Sequence, residues 1–193
     1  IGHIGCTSFF PSKNLGCYGD GGAILANDDE LAYQLQITAN HGQNKKYYHQ
    51  VTGVNSRLDT IQAAVLNVKL KYLDQYCQAR QNVAFSYDES FKNNPNLITP
   101  YRTEKSTHVF HQYTLIIKNG KRDELKQYLN DNNIPANIYY PLPLNEQVAF
   151  KNISKVIGDL KNTHNLCNSV LSLPIHTELE EERIKYITGK VNE

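Results

Sequence analysis

The sequence lacks any long hydrophobic run. Hydrophobic residues make up 40% of its 193 residues, which is enough for a folded core but low for a membrane protein. No apolar stretch approaches the roughly 20 residues that span a bilayer, and the first residues show no basic, apolar leader that would direct export. We therefore expect a cytoplasmic protein with no membrane partner.

The net charge is small, and cysteines are few. A formal net charge of +1 gives no electrostatic reason to expect a nucleic acid as a partner. The four cysteines, Cys6, Cys17, Cys77 and Cys167, form no C-x-x-C pair and no zinc-ligand spacing with histidine. We expect free thiols and no metal site.

Methionine is absent, and the sequence starts with Ile1. A complete reading frame starts with methionine, although processing can remove it. The sequence is therefore predicted to be the C-terminal portion of a longer protein.

Short elements are predicted in the N-terminal third. Residues 22–26, GAILA, form an apolar run that predicts a buried strand. Asn27 and Glu30 have the spacing of a capping box, so a helix is predicted to begin there and to stop at Gly42. Residues 43–57 lack periodicity and predict a polar loop.

The strongest periodicity lies between residues 58 and 92. Apolar side chains recur there every three or four residues, which predicts one helix of roughly 50 Å at 1.5 Å per residue. Helices of this length more often bridge two bodies than lie inside one, and the pattern is compatible with a kink. Residues 93–107 carry turn signals and predict a linker.

Beyond residue 107, strands and helices alternate, which is typical of an α/β domain. The predicted elements are a strand at 109–118, a helix at 121–133, a strand at 134–141, a short helix at 144–150, a helix at 163–173, and a last helix that follows a capping box of Thr177 and Glu180 and carries Ile184, Ile187 and Val191 on its apolar face.

The segment SFFPSKNLGCYGDGGAILA, residues 8–26, combines one lysine with four glycines. The glycines could suggest a phosphate-binding loop. Dinucleotide-binding loops follow a strand and open a helix, and Walker loops contain G-K-[ST], whereas this loop leads into a strand. Both kinds of nucleotide loop are therefore disfavoured.

Lys13 is the candidate for chemistry in this segment. A lysine in an arbitrary loop is a solvated amine, but Phe9, Phe10 and Pro11 precede this one. Apolar neighbours desolvate an ammonium, and a neutral amine can attack a carbonyl group. Ser8 could offer its hydroxyl to an anionic group, and glycines permit a close approach of backbone to ligand. These features allow the chemistry but do not prove it.

Four segments carry a family resemblance. They are the lysine segment; GVNSRLDTIQAAVL, residues 53–66; YYPLPLNEQVAF, residues 139–150; and SLPIHTEL, residues 172–179. In their order and spacing they resemble the DegT/DnrJ/EryC1/StrS family of pyridoxal-phosphate-dependent nucleotide-sugar aminotransferases. The first two segments are long and specific, and the resemblance covers nearly the whole sequence.

The resemblance implies an α/β fold, namely the C-terminal part of the aspartate-aminotransferase-like, fold-type I transferases. Residues 1–57 would end the large cofactor domain, residues 58–92 would form a long connecting helix, and residues 93–193 would form the small C-terminal α/β domain. In this family, the acid that pairs with the cofactor's pyridine nitrogen lies upstream of the lysine. The sequence alone is therefore expected to bind the cofactor poorly and to be inactive.

The implied cofactor is pyridoxal 5′-phosphate. Lys13 is in the position of the lysine that binds it covalently, and Ser8 matches a serine that binds its phosphate. Asn55 matches an asparagine that reaches the same phosphate from the neighbouring subunit. Arg57 matches an arginine that crosses the interface toward the substrate carboxylate. The implied assembly is a homodimer with shared active sites.

Two further residues are implied as substrate contacts. His111, in FHQY, lies near a substrate-contacting histidine of the family, and a structural role is its open alternative. Tyr139 stands where many members have histidine, because they carry His-Tyr-Pro in place of Tyr139-Tyr140-Pro141. Either the longer phenol takes over that contact or the contact is lost.

The implied reaction is transamination of a nucleotide-linked keto-sugar with glutamate as amino donor, for bacterial surface-polysaccharide or related amino-sugar biosynthesis. Members that aminate C3 of a UDP-2-acetamido-3-oxo-glucuronate are the most similar, while others act on dTDP or other UDP keto-hexoses at C3 or C4. Two alternatives stay open: a non-catalytic nucleotide-sugar-binding or regulatory relative, and a sugar dehydratase of the same fold. The dehydratases carry histidine at the position of Lys13, which argues against the second.

Overall fold

The computed structural model describes residues 2–193 and separates into two compact units. Unit 1 runs to Gln75 and unit 2 begins at Tyr76, so the boundary falls within a helix. The predicted domain limits at residues 57 and 92 stay a prediction about the whole protein.

Unit 1 contains an antiparallel ribbon of β1 (Ile4–Ser8) and β2 (Gly22–Ala26), in which Ser8 lies opposite Gly22. β2 confirms the strand predicted for GAILA, whereas β1 was not predicted. The expected burial of β2 was wrong, since Ile24 is 52% and Leu25 is 64% exposed. The ribbon has only two strands, so much of its apolar surface has no neighbouring strand to cover it.

Helix α1 (Asp29–Ala39) follows the ribbon. Its N-cap is Asp28, whose side chain accepts a hydrogen bond from the backbone N–H of Leu31 at 2.8 Å. The capping box predicted for Asn27 and Glu30 was wrong, because the carboxylate one residue later satisfies the exposed N–H. Acidic side chains in the first turn further stabilise this end of the helix.

The segment predicted as a polar loop contains a small hairpin, β3 (Gln43–Lys45) and β4 (Tyr48–His49). The ring Nδ1 of His49 lies 2.8 Å from the carbonyl oxygen of His41, which ties the hairpin to the end of α1. The hairpin is two to three residues long on each side, which is too short to give a visible period in the sequence.

The long helix predicted at 58–92 is interrupted. It consists of α2 (Thr60–Lys69), a 3₁₀ turn at Leu70–Tyr72 and α3 (Leu73–Phe91). The N–H of Leu70 is shared between the carbonyls of Leu66 and Val68, which marks the tightening of the helix at this point.

Unit 2 consists of helices and a three-stranded antiparallel sheet. The strands are ordered β5 (Leu97–Ile98), β6 (Tyr113–Ile117) and β7 (Val170–Leu173). Alternate residues of β6 are fully buried, so this central strand turns one face to the core. The core combines this face with side chains from the helices: Tyr87, Phe91, Phe110, Tyr113, Leu115, Leu129, Leu171, Ile184 and Ile187.

The helices of unit 2 are α4 (Arg122–Asp131), α5 (Lys161–Ser169) and α6 (Glu181–Asn192). Burial of Ile184, Ile187 and Val191 confirms the predicted apolar face of α6. The N-cap of α6 is Glu180 without a side-chain bond, so the predicted capping box with Thr177 was wrong.

Three other predictions in unit 2 need correction. The helix predicted at 163–173 ends at Ser169, and VLSL continues as β7, whose four residues are all buried. The strand predicted at 134–141 is reduced to a single bridge between Asn137 and Ser172. The short helix predicted at 144–150 is a 3₁₀ turn at Leu144–Glu146. A short apolar run fits helix and strand equally well, and only its tertiary partners decide between them.

Candidate active site

The segment that joins β1 to β2 is a loop closed at its base, and Lys13 lies on it. The N–H of Phe9 donates to the carbonyl of Gly21 at 2.8 Å, and the N–H of Cys17 donates to the carbonyl of Phe9 at 2.8 Å. The thiol of Cys17 is fully buried and lies 3.0 Å from the same Phe9 oxygen. We call residues 9–19 the lysine loop.

Gly16 is required by the path of this loop. A Cβ at this position would lie 2.5 Å from the carbonyl oxygen of Pro11 and 2.8 Å from that of Phe10, closer than real Cβ atoms approach. The N–H of Lys13 donates to the carbonyl of Phe10 at 2.9 Å inside the same turn. A glycine at this position is therefore a steric requirement of the backbone that carries Lys13.

The side chains of Lys13 and Ser8 are available for a ligand. Lys13 is half-buried, and no carboxylate of residues 2–193 lies within salt-bridge distance of its amine. Ser8 is exposed at the end of β1, and its Oγ accepts a hydrogen bond from the N–H of Phe10 at 3.2 Å. Since that bond uses an acceptor site, the hydroxyl proton of Ser8 remains able to donate.

Asn55 and Arg57 lie on a segment that is fastened to the C-terminal end of α1. The N–H of Val54 donates to the carbonyl of Thr38 at 2.8 Å, and the N–H of Ser56 donates to that of Ala39 at 2.9 Å.

Gly53 permits this close packing. A Cβ at Gly53 would lie 2.1 Å from the backbone nitrogen of Gly42. The glycine that opens the GVNSRLDTIQAAVL segment is therefore a steric requirement of the backbone that presents Asn55 and Arg57.

The two side chains contact each other. The Nε of Arg57 donates to Oδ1 of Asn55 at 2.9 Å. Because Arg57 can only donate, the Asn55 atom that faces it must be the oxygen, so the amide nitrogen of Asn55 keeps its two donors. The two terminal nitrogens of Arg57 likewise remain for a planar anion such as a carboxylate.

Asn55 and Arg57 line a cleft of about 730 Å³ in unit 1. Asp20, Gln36 and small residues of β2 and α1 complete its wall, whereas neither Lys13 nor Ser8 belongs to the lining. The cleft is also lined by Thr7 and Gly22, which are the chain neighbour and the strand partner of Ser8.

The two predicted substrate contacts belong to unit 2. His111 is half-buried, and its carbonyl accepts a hydrogen bond from Arg80 at 3.2 Å. Tyr139 is 39% exposed and packs edge-on against Tyr140, with ring centroids 5.5 Å apart. Tyr139 lines a largely apolar cavity of about 540 Å³ together with Pro141, and His111 is not part of that lining.

Residues 2–193 contain no cluster of three or more histidine, cysteine, aspartate or glutamate side chains that could hold a metal ion. In the same residues no helix has both the length and the apolar character needed to cross a membrane.

The sequence analysis did not identify two residues that contact the lysine loop. Gln62 and Lys69, both on α2, hydrogen-bond to Tyr18 and Gly16. Gln62 is the glutamine of the GVNSRLDTIQAAVL segment, and its place in that segment was the only sequence feature that could have indicated it. Nothing in the sequence distinguished Lys69 from the other lysines.

Comparison with known proteins identifies the family. The sequence model described as "DegT/DnrJ/EryC1/StrS aminotransferase family" matches residues 1–192. The chain belongs to this family. The match covers both units and includes all six residues singled out in the sequence.

Two curated relatives are similar over nearly all of the chain. A "pleiotropic regulatory protein" of Geobacillus stearothermophilus is 42% identical, over 100% of this chain and 53% of its own length. A "UDP-2-acetamido-2-deoxy-3-oxo-D-glucuronate aminotransferase" of Pseudomonas aeruginosa is 44% identical, over 95% of this chain and 50% of its own length. The chain thus spans about half the length of the curated relatives that it matches.

Solved structures share the fold. A DegT DnrJ EryC1 StrS aminotransferase from Brucella abortus is 41% identical with a TM-score of 0.91, over 99% of this chain and 50% of that one. NtdA from Bacillus subtilis, described with bound cofactor PMP, is 25% identical with a TM-score of 0.86, over 98% and 45% of the two chains. These likenesses confirm the predicted aminotransferase-like α/β fold class.

Proposed function

We propose that the whole protein is a pyridoxal-5′-phosphate-dependent aminotransferase that acts on a nucleotide-linked keto-sugar. The observation that carries the proposal is Lys13, an amine without a carboxylate partner in residues 2–193, on a loop whose base is closed by backbone hydrogen bonds. Family membership and the PMP-bound relative support the reading of this amine as the cofactor lysine.

The hydrogen-bond donors and the amine of these residues fit this cofactor. Its phosphate needs hydrogen-bond donors, which the hydroxyl of Ser8 and the amide nitrogen of Asn55 supply, and its carbonyl carbon needs an amine, which Lys13 supplies. When bound, the cofactor supplies the electron sink that allows an amino group to leave one carbon and join another.

The chain's own residues would bind, orient and move protons. Lys13 would hold the cofactor covalently and, once displaced by the amino donor, would act as the general base and acid that moves a proton at the substrate carbon. The bonds between Phe9, Cys17 and Gly21 would hold its loop in place during that transfer. Arg57 would orient the donor through its carboxylate, since its terminal nitrogens form a planar fork.

Asn55 and Arg57 are proposed to act on the cofactor and substrate of a second subunit. This proposal rests on the family positions that the two residues occupy; in this chain they line a cleft together with Thr7, Gly21 and Gly22. The proposed assembly is therefore a homodimer with shared active sites. His111 and Tyr139 are proposed to contact the sugar substrate.

The proposed substrate is a UDP-2-acetamido-3-oxo-glucuronate, with glutamate as donor, in cytoplasmic synthesis of bacterial surface polysaccharide. Similarity to the P. aeruginosa enzyme named for that substrate supports this choice over a dTDP or another UDP keto-hexose. A panel of these nucleotide sugars, followed by consumption of glutamate, distinguishes them.

The decisive experiment compares Lys13→Ala with Lys71→Ala in the whole protein. Lys71 is an exposed lysine of unit 1 and serves as the matched control. We expect Lys13→Ala to lose transamination and visible cofactor absorbance, because Lys13 is the proposed covalent attachment of the cofactor, and Lys71→Ala to keep both. The 193-residue chain alone is expected to show little of either. Transamination by Lys13→Ala would overturn the proposal.

A regulatory role is the second candidate, and the printed name of the G. stearothermophilus relative favours it. Borohydride treatment separates the two. If the protein is an enzyme, reduction fixes the cofactor on the peptide that contains Lys13, as mass spectrometry would show. A regulatory protein without the cofactor would give the unmodified peptide.

A further inference from the structure

We infer that Gln62 and Lys69 are positioning residues for Lys13, because together they fasten the outer part of the lysine loop to α2. The bonds at the base of the loop fix Phe9, Cys17 and Gly21, and within the stretch from Gly16 to Gly19 the thiol of Cys17 lies 2.9 Å from the carbonyl of Gly19. The carbonyl of Gly16 and the N–H of Tyr18 in this stretch are held by other groups. Both α2 side chains contact this stretch.

Gln62 holds the loop through a backbone donor. The N–H of Tyr18 donates to Oε1 of Gln62 at 2.8 Å. The side chain of Tyr18 is 77% exposed, so its backbone N–H is the group of this residue that bonds to Gln62. The glutamine oxygen therefore replaces water as the acceptor for this N–H and sets the distance between loop and helix.

Lys69 holds the loop through a backbone acceptor and an aromatic ring. Its Nζ donates to the carbonyl of Gly16 at 2.7 Å and lies 5.0 Å from the centroid of the Tyr18 ring. The bond is charge-assisted, which makes it stronger than one between neutral groups. The ring contact adds a cation–π attraction on the same loop residue that Gln62 holds.

Gln62 and Lys69 attach the loop to α2 at two separate points. Gln62 and Lys69 are two helical turns apart, about 10.5 Å along the axis at 1.5 Å per residue, on one face of α2. On the loop, the two groups that they hold, the carbonyl of Gly16 and the N–H of Tyr18, are two residues apart. We call this pair of contacts the α2 clamp.

The charged ammonium of Lys69 has a backbone carbonyl as its hydrogen-bond partner. No carboxylate of residues 2–193 forms a salt bridge with it, although the side chain is half-buried. Partial desolvation of an unpaired ammonium costs free energy, which the hydrogen bond to Gly16 and the Tyr18 ring offset. These two contacts of Lys69 therefore hold the loop in position.

The consequence for Lys13 follows from its place between the two anchorages. Lys13 lies four residues after Phe9 and three residues before Gly16. The bond from Cys17 to Phe9 closes this stretch at its base, and the clamp adds a second attachment that ties Gly16 and Tyr18 to α2. A misplacement of about 1 Å at a reacting group can cost a hundredfold in rate. This part of the inference rests on the proposed function, whereas the attachment of the loop does not.

The test uses the cofactor-loaded whole protein with Lys69→Met, Lys69→Arg, Gln62→Leu and the control Lys71→Met. Hydrogen exchange read by mass spectrometry follows peptides covering Lys13–Gly19, with α1 as the internal reference. For Lys69→Met and Gln62→Leu we expect about tenfold faster exchange in the loop and no change in α1. We also expect kcat to fall about tenfold with KM for the amino donor within twofold.

Lys69→Arg keeps a charged donor and should restore most of the protection and of kcat, and Lys71→Met should match the wild type. Unchanged exchange in the loop, faster exchange in α1 as well, unchanged kcat despite a loosened loop, or failure of Lys69→Arg to rescue would each overturn the inference. Failure of the proposed function is read separately, from transamination that survives Lys13→Ala.

Discussion

Arg80 is a buried cation whose partners are backbone carbonyls. Its Nη1 donates to the carbonyls of Phe110, His111 and Ile175 at 3.1, 3.2 and 3.0 Å. Burial lowers the pKa of the guanidinium, yet arginine stays protonated at neutral pH. One side chain on α3 thus joins the segment that carries His111 to the segment after β7, and it fixes the backbone of a predicted substrate contact.

Arg80→Met should destabilise unit 2 by about 3 kcal/mol, because buried carbonyls lose their donor while the aliphatic volume is kept. Urea denaturation of the chain measures this change. Arg183→Met removes an exposed arginine on α6 and should change stability by less than about 0.5 kcal/mol. Equal effects of the two substitutions would show that the carbonyl contacts contribute nothing.

Tyr113 is a fully buried phenol in a polar network. Its hydroxyl donates to Oδ1 of Asp88 at 2.7 Å, and Asp88 is also paired with Arg102. Burial, followed by the hydrogen bond to Asp88, raises the pKa of Tyr113 well above the ordinary tyrosine range. Burial also raises the pKa of Tyr87, whose hydroxyl donates to the carbonyl of Pro174 at 2.8 Å.

The raised tyrosine pKa values predict a loss of stability at high pH. In the unfolded chain tyrosine ionises near pH 10, about where model tyrosines do, so the stabilisation is fully present below that pH and is lost as the pH rises above it. Urea denaturation between about pH 8 and 11 should show this fall.

Tyr113→Phe should lower stability at pH 8 and make its fall above about pH 10 less steep, because one phenol no longer has to ionise on unfolding. Tyr101→Phe is the control, since Tyr101 is 85% exposed. An unchanged pH dependence in Tyr113→Phe would contradict the assignment.

At the scale of elements, the sequence predicted best where a local pattern decides the structure. The apolar residues Ile184, Ile187 and Val191 recur at helical spacing, and α6 buries all three. β7 was predicted as helix because VLSL directly continues α5 and fits either state. Its pairing with β6, across more than fifty residues of sequence, is what makes it a strand.

For the candidate site too, local sequence patterns could be interpreted, whereas contacts between distant segments could not. Lys13, Ser8, Asn55 and Arg57 could be proposed because they stand in contiguous family segments. The contacts that hold the lysine loop could not, since Gln62 meets its partner across 44 residues and Lys69 across 53. No local propensity encodes such pairings, which depend on how α2 and the loop pack in three dimensions.

At the scale of the whole molecule, the two units differ in how much apolar surface they bury. Unit 2 holds one contiguous cluster that includes Tyr87, Phe91, Leu115 and Leu129. In the described part of unit 1, only Cys17, Ile37 and Leu66 are buried among the hydrophobic residues. Since apolar burial is the main source of stability, the two units of this chain are expected to be unequal in stability.

This inequality predicts two steps of unfolding for the 193-residue chain. Amides of α1 should exchange with solvent at lower urea than amides of β6, because few buried contacts hold unit 1 together. Hydrogen exchange at increasing urea, read by mass spectrometry, measures both in one sample. Simultaneous loss of protection in α1 and β6 would show a single cooperative unit instead.

The position of Tyr18 has a spectroscopic consequence. The sequence contains no tryptophan, so Tyr18→Trp would create the only indole in the chain. That indole would stand on the lysine loop, where the ammonium of Lys69 now lies 5.0 Å from the ring centroid. Its emission would therefore respond to the opening of the α2 clamp with no other fluorophore of that kind in the background. A single substitution would turn the attachment of the loop into an optical signal in the 193-residue chain.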